Sequence, residues 1–185
     1  MRVISGSTKG HKLITPKGLG TRPTSDRVKE ALFNIISDKV VGARVLDLYA
    51  GSGALGIEAL SRGAQKAVFV DSSAKAVEAI CENLNKTFLS KKAVALKMTT
   101  QSFLKNFSSE KEQFELIFLD PPYKIESGML NSIFKELVLK DVLSENGLII
   151  LEHSSKRIPE QTEEKLGLKF TRKYGDASLS FYGLT

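Results

Sequence analysis

The chain has 185 residues, of which 42% are hydrophobic and 26% charged, and its net charge is +6 at pH 7. This size suits one domain, and the composition excludes a disordered chain, a collagen-like fibre and a disulfide scaffold. No apolar run approaches the roughly 18 residues of a membrane span, and the basic start lacks the apolar core of a secretion signal, so we expect a cytoplasmic protein. The one cysteine, Cys81, is expected to be buried in a helix as a small apolar side chain.

The positive charge is concentrated at the start of the chain. Residues 1–25 carry five basic side chains and no acidic one, whereas residues 26–185 carry 22 basic and 21 acidic side chains. Charge alone leaves two interpretations open, a solvated tail or a contact with nucleic acid. The five basic residues are Arg2, Lys9, Lys12, Lys17 and Arg22.

Apolar residues recur at helical spacing over about 25–38, which predicts an amphipathic helix. Short apolar runs then alternate with longer amphipathic stretches, a pattern typical of βαβ units. The predicted strands cover residues 44–50, 67–71, 93–98, 114–120 and 147–152. The predicted helices lie near residues 54–62, 73–89, 101–106, 128–139 and 160–166.

Two alternating segments, 168–174 and 178–182, flank Gly175-Asp176 and predict an antiparallel hairpin. The predicted fold is therefore α/β, a doubly wound, mostly parallel, Rossmann-like sheet of seven strands with this hairpin near its C-terminus. We predict that residues 1–38 form a basic extension made of a small β-hairpin and a helix. Residues 39–185 then form the cofactor-binding domain.

The first predicted strand leads into a glycine-rich turn. Gly51, Gly53 and Gly56 match G-x-G-x-x-G between a strand and a helix, and Asp71 closes the next strand. Such glycines let the backbone approach a ligand, the helix start offers free N–H groups, and the later carboxylate can bind both hydroxyls of a ribose. The pattern predicts a nucleoside-containing cofactor, either a nicotinamide dinucleotide or S-adenosylmethionine. Asp47 favours the second, because its carboxylate would repel a pyrophosphate and attract an ammonium group.

The sequence Asp120-Pro121-Pro122-Tyr123 follows the fourth predicted strand. The two prolines have no N–H group, so this turn offers only hydrogen-bond acceptors beside an aromatic face. Acceptors that hold the hydrogens of a planar exocyclic NH₂ group can free the nitrogen lone pair for attack on an activated methyl group, while Tyr123 stacks on the base. Asp120 can then accept the proton that the nitrogen releases. These four residues are the predicted catalytic residues.

In this order and on these strand ends, Asp47, the glycine turn, Asp71 and the Asp-Pro-Pro-Tyr sequence resemble a class I S-adenosylmethionine-dependent methyltransferase that acts on an exocyclic amine. The stretch 2–34 resembles the RsmD-type enzymes, bacterial methyltransferases of one guanine amine in 16S ribosomal RNA, and the resemblance covers nearly the whole chain. It implies methylation of the guanine at position 966 during small-subunit maturation. The implied partner is 16S rRNA or a small-subunit assembly intermediate. We expect a monomer that needs neither a metal nor a membrane.

The resemblance also places individual residues. The methionine part of the cofactor is implied near Asp47, the ribose at Asp71, and the target amine at Asp120 and Pro121. Arg22, Pro23 and Thr24 would border both the cofactor pocket and the RNA entrance. Many relatives carry an acidic residue after the third strand, where this chain has Thr99-Thr100, whose hydroxyl or N–H groups can bond the adenine edge. The implied cofactor-binding residues are Asp47, Gly51, Ser52, Gly53, Asp71, Ser72, Thr99, Thr100, Arg22 and Thr24.

Three other functions stay open. A nicotinamide-dependent oxidoreductase is disfavoured, since hydride transfer gives neither Asp47 nor the Asp-Pro-Pro-Tyr sequence an obvious task. A non-catalytic RNA-binding protein is disfavoured because the motif acids are intact. An N-methyltransferase of DNA adenine or protein glutamine remains possible, because the lone pair of its target NH₂ group is delocalised in the same way and must also be freed. Because a catalytic turn of this kind needs a nucleobase delivered to it, the basic start is predicted to contact RNA.

Overall fold

The computed structural model describes residues 1–16, 26–110, 112–122, 125–156 and 163–185. Helices and strands alternate as far as residue 154, and two further strands follow. The helices are α1 Asp26–Ile36, α2 Ala54–Ser61, α3 Ala74–Lys86, α4 Thr100–Asn106 and α5 Ser127–Leu139, with short 3₁₀ turns over Ser37–Val40 and Ser90–Lys92. The strands are β1 Arg44–Leu48, β2 Lys66–Asp71, β3 Ala93–Lys97, β4 Phe114–Leu119, β5 Leu143–Ser154, β6 Leu166–Tyr174 and β7 Ala177–Leu184.

The strands form one seven-stranded sheet in the order β3-β2-β1-β4-β5-β7-β6. Strands β1 to β5 are parallel, and β7 runs antiparallel to both β5 and β6. Gly175, with φ of 64°, makes the turn between Tyr174 and Ala177, which face each other in the β6–β7 hairpin. The predicted doubly wound sheet with a C-terminal hairpin is confirmed. The strand order reverses between β1 and β4, the place where such sheets bind ligands.

Helices cover the sheet on both faces. On one face, the N-terminal segment and helices α1, α2 and α3 pack on the sheet, with Phe33 meeting Phe118 edge-to-face at 5.9 Å between ring centroids. On the other face, α4 and α5 pack on it, with Phe134 against Tyr182 at 4.9 Å. Burial on both faces explains why the parallel strands are almost wholly apolar. Within the described ranges, no helix has the length and apolar character of a membrane span.

The first 14 residues fold back on themselves as two short antiparallel segments. Arg2 pairs with Lys12 in one antiparallel bridge, and the Val3 N–H donates to the His11 carbonyl at 3.0 Å. Val3 and Leu13 are buried in the same core as α1 and α2. This segment is therefore packed onto the face of the sheet that carries the glycine-rich helix.

Two expectations from the sequence are wrong. Residues 163–165 form a turn, not the end of a helix near 160–166, and β6 begins at Leu166, which pairs with Leu184 of β7. Residues 157–162 lie outside the described part. Cys81 is exposed, because α3 buries Ala76, Ile80 and Leu84 on one face and Cys81 points away from that face.

Candidate active site

Three adjacent strands bring the predicted site together. Asp47 faces Phe69 of β2 and Phe118 of β4 in the sheet register, so β1 lies between the other two. The glycine turn follows β1, Asp71 ends β2, and Asp120 follows β4. Because the strands are parallel, all three features meet at the carboxyl edge, next to the point where the strand order reverses.

The glycine turn has a left-handed backbone. The φ angles are 63° at Tyr49, 56° at Gly51 and 76° at Gly53, and the Gly53 N–H donates to the Ala50 carbonyl at 2.7 Å. Glycine adopts such angles without cost, whereas the positive φ of Tyr49 is strained by about 1–3 kcal/mol. A Cβ atom at Gly56 would collide with the ring of Phe69, so the third glycine permits close packing of helix on strand.

Asp47 is fully buried beneath this turn, with 1% of its surface exposed. Its Oδ2 accepts a hydrogen bond from the Gly56 N–H at 2.9 Å, in the first turn of α2. Burial raises the pKa of Asp47 to about 8, a nearby charge on Asp71 adds to the shift, and the Gly56 bond opposes it. The carboxyl group is thus mainly protonated at neutral pH in the free protein. A cation placed beside it would lower this pKa and favour loss of the proton.

Asp71 links the glycine turn to the start of α3. Its Oδ2 accepts from the Gly51 N–H and its Oδ1 from the Ser73 N–H, both at 2.8 Å. Ser72, which lies between Asp71 and Ser73 in the sequence, is exposed. A carboxylate can accept about four hydrogen bonds, so Asp71 keeps room for the hydroxyls of a ribose.

The turn after β4 carries the predicted catalytic group. Asp120 is half-buried, Pro121 is buried and Pro122 is exposed, and the Pro122 carbonyl accepts from the Ile125 N–H at 2.8 Å. This backbone bond closes the turn at the carboxyl edge of the sheet. Tyr123, the predicted stacking residue, lies outside the described residues.

The remaining predicted cofactor contacts lie at the start of α4. Thr99 is exposed and caps the helix, since its Oγ1 accepts from the Ser102 N–H at 3.1 Å, and Thr100 is buried. Because the Thr99 hydroxyl is committed to the cap, a backbone N–H is the more available donor for an adenine edge here. Arg22 and Thr24 lie outside the described residues.

Three of the basic residues of the predicted RNA contact are described, and all three are exposed: Arg2, Lys9 and Lys12. The Arg2 guanidinium lies 3.9 Å from the Asp26 carboxylate, a distance that leaves it open to a stronger anion. Lys9 and Lys12 belong to the N-terminal loop. Lys17 lies outside the described residues.

Sequence reasoning missed Asn83, which fixes the back of the glycine turn. This fully buried side chain donates from Nδ2 to the Ser52 carbonyl and to the Ile14 carbonyl, both at 2.9 Å, and accepts from the Ile14 N–H at 2.7 Å. Asn83 therefore ties the glycine turn to the N-terminal segment. The signal in the sequence is a polar residue at an apolar position of an amphipathic helix.

It also missed Glu58 of α2, which is completely buried. Its carboxylate accepts from the Ile4 N–H at 2.7 Å and the Ser5 N–H at 3.0 Å, and it pairs with Lys29 at 3.1 Å and Arg62 at 2.8 Å. Burial lowers the pKa of Lys29, and Glu58 opposes that shift. This network holds the N-terminal segment and α1 on the glycine-rich helix.

A seven-stranded doubly wound sheet with a glycine turn after β1 and an Asp-Pro-Pro turn after the neighbouring β4 is the architecture of class I methyltransferases. The chain belongs to the RsmD-type family, as its sequence resemblance indicated: the family model described as "Conserved hypothetical protein 95" matches residues 1–183.

Individual proteins agree with this membership. "Putative rRNA methyltransferase YlbH" of Bacillus subtilis is 41% identical, with 98% of each chain covered. "Ribosomal RNA small subunit methyltransferase D" of Haemophilus influenzae is 33% identical, covering 98% of this chain and 93% of its own. The solved "Putative methyltransferase yhhF from Escherichia coli" matches with a TM-score of 0.84 and 31% identity, covering 100% and 97%. The more distant SMU.776, solved with SAH, shares the fold, with a TM-score of 0.70, 16% identity and coverage of 84% and 48%.

Proposed function

We propose that this protein methylates the exocyclic amine of a guanine in the RNA of the small ribosomal subunit, with S-adenosylmethionine as the methyl donor. The observation that carries the proposal is the Asp120-Pro121-Pro122 turn on the strand next to the glycine turn. The names of the family relatives support rRNA as the substrate. Within 16S rRNA, the guanine at position 966 is the target that the family resemblance implies.

The residues at the carboxyl edge fit S-adenosylmethionine. The nearest atom that a Cβ at Gly51 would meet is the Tyr49 carbonyl oxygen, at 4.0 Å, so the backbone there can approach a ligand closely. The half-buried Asp71 accepts the Gly51 N–H, and the buried Asp47 lies on the strand that leads into this turn. In the proposal, Asp71 holds the ribose and Asp47 faces the ammonium group of the methionine part. When bound, this cofactor supplies an electrophilic methyl group.

The protein's own part in the reaction is to prepare the amine. Asp120 and the Pro121 carbonyl accept the two amine hydrogens, which frees the nitrogen lone pair from the ring, and Tyr123 holds the plane of the base. As the nitrogen gains its new bond to carbon it becomes acidic, and Asp120 accepts the released proton or passes it to water. No described group needs to form a covalent bond to the substrate.

Mass spectrometry of rRNA nucleosides tests the function. Cells that lack this protein should lose one N2-methylguanosine from 16S rRNA, and the purified protein should restore it on rRNA or on small-subunit particles from those cells. Activity on particles but not on free rRNA would identify an assembly intermediate as the substrate. An intact set of methylguanosines, with a loss of methyladenine in DNA or methylglutamine in protein instead, would contradict the proposal.

We expect cofactor binding near neutral pH to release a proton from Asp47. The pKa of this carboxyl group is about 8 in the free protein, and a neighbouring ammonium group favours the charged carboxylate and lowers the pKa. Affinity should therefore rise as the pH goes from about 6 to about 8. Calorimetry in buffers of different ionisation enthalpy measures the released proton. The Asp47→Asn variant provides the reference, because subtracting its signal removes the titration of the cofactor itself; equal proton release by both proteins would be evidence against this role.

The exposed lysines of the N-terminal loop are expected to contact phosphates. Replacing Lys9 and Lys12 together by alanine should weaken RNA binding and reduce the slope of log K against log[salt] by about 0.7–0.9 for each phosphate that a lysine no longer neutralises. Lys91 and Lys92, also exposed and located in the 3₁₀ turn before β3, provide a control with the same change of charge. If the two double variants give equal slopes of log K against log[salt], the N-terminal lysines do not contact RNA and are simply solvated.

A further inference from the structure

Glu152 of β5 lies beside the catalytic turn. Leu119 faces Leu151 at the last pair of the β4–β5 register, so the residues that follow on the two strands are Asp120 and Glu152. Neighbouring strands run about 4.8 Å apart. The backbone of Glu152 therefore stands next to that of Asp120 at the carboxyl edge of the sheet.

Both side chains belong to the same face of the sheet. The pair before them, Phe118 and Ile150, is buried in the core that also holds α1 and α2. Side chains alternate along a strand, so Glu152 returns to the face of Ile150, and Asp120, the first residue past β4, follows Phe118. Leu179, opposite Glu152 on β7, lies in that same core. Glu152 has 6% of its surface exposed, so the position of its side chain is fixed by packing within the protein.

Two carboxylates on one face match the hydrogen-bonding edge of guanine. Guanine presents two adjacent donors on this edge, the N1–H and the exocyclic amine, whereas N1 of adenine is an acceptor. A carboxylate opposite N1 accepts a hydrogen bond from the N1–H of guanine and is repelled by the N1 lone pair of adenine. Since a carboxylate has about four acceptor positions, a contact between Glu152 and the protein leaves room for a substrate donor.

We propose that Glu152 accepts the N1–H of the target guanine, so that this side chain selects guanine while Asp120 binds the amine. This inference rests on the proposed function and adds the residue that reads the base. Removing a hydrogen-bond partner in a buried site costs far more than removing one apolar group, which is why one carboxylate is enough to discriminate between bases.

An RNA substrate with 2-aminopurine at the target position tests the inference. This base keeps the 2-amino group but has a lone pair at N1. We expect the wild type to prefer guanine by about 100-fold in kcat/KM. In Glu152→Gln, the side-chain amide can donate to the N1 lone pair, and the preference should shrink to less than about tenfold. Glu152→Asp keeps a carboxylate and should keep the preference for guanine at a lower rate.

Glu145→Gln is the matched control, since Glu145 is exposed near the amino end of the same strand. It should leave the preference unchanged. If Glu152→Gln slows both substrates by the same factor, Glu152 acts only on stability and the inference is overturned while guanine methylation stands. If the wild-type protein methylates neither RNA, the proposed function and the inference fall together.

Discussion

The Asp120→Ala variant is expected to lose methyl transfer by about 10²–10⁴-fold, the range found when a positioned proton acceptor is removed. Its affinity for S-adenosylmethionine should change by no more than a few-fold. Asp120 follows β4, whereas the glycine turn follows β1 and Asp71 ends β2, so Asp120 is not among the proposed cofactor contacts. The rate is measured as transfer of labelled methyl groups to rRNA, and the affinity by calorimetry.

Two further variants sharpen this result. Asp120→Asn keeps one acceptor oxygen for the amine but is a poor proton acceptor, so its rate should lie between those of the wild type and Asp120→Ala. Asp38→Ala removes an exposed carboxylate from the 3₁₀ turn after α1 and should leave turnover unchanged. Wild-type turnover in Asp120→Ala would contradict the role of Asp120 as the acceptor of the amine hydrogen and of the released proton.

The sheet could be predicted from the sequence because its physical cause is local. Strands β1, β2 and β4 are buried on both faces, so each one is a short apolar run in the sequence. The residues Gly175-Asp176 predict the hairpin turn. The polar start of β5, where Ser144, Glu145 and Asn146 are not buried, hid its true beginning at Leu143. The prediction of a helix near residues 160–166 was wrong at its end for a related reason. Residues 163–165 are all charged, and the strand β6 begins at Leu166 because this residue pairs with Leu184 of β7.

The site could be predicted only in part, and for a different reason. Asp47, Asp71 and the Asp-Pro-Pro turn are visible because strand ends and turn residues lie together in the sequence. Asn83 and Glu58 were missed because their partners are remote: Asn83 bonds Ile14, 69 residues away, and Glu58 bonds Ile4, 54 residues away. Buried polar groups need partners, yet the sequence does not say which distant backbone supplies them.

The Glu58→Ala variant is expected to lower the free energy of unfolding by about 3–5 kcal/mol, the cost of leaving a buried charge without its partner. Lys29 is completely buried against Glu58, and the N–H groups of Ile4 and Ser5 lose their acceptor at the same time. Urea unfolding followed by circular dichroism measures the change. Glu78→Ala, which removes an exposed carboxylate from α3, should change stability by less than about 0.5 kcal/mol.

The dependence of this destabilisation on pH separates the buried charge from the missing hydrogen bonds. Burial already lowers the pKa of Lys29 below its ordinary 10.5, and Glu58 provides the largest contribution that raises it. Without Glu58 the pKa falls further, so the native state sheds the proton that the unfolded state still binds, and stability rises with pH in that interval. The deficit of Glu58→Ala should therefore shrink as the pH rises from the Lys29 pKa of the folded variant to the Lys29 pKa of the folded wild type, which itself lies below 10.5. A deficit that stays constant with pH would assign the stabilisation to the Ile4 and Ser5 hydrogen bonds instead, because backbone amides do not titrate there. Replacing both charges, as in Lys29→Met with Glu58→Leu, should recover only the part of the loss that comes from the unpaired Lys29 charge. The part that comes from the Ile4 and Ser5 N–H groups should remain, because leucine offers them no acceptor.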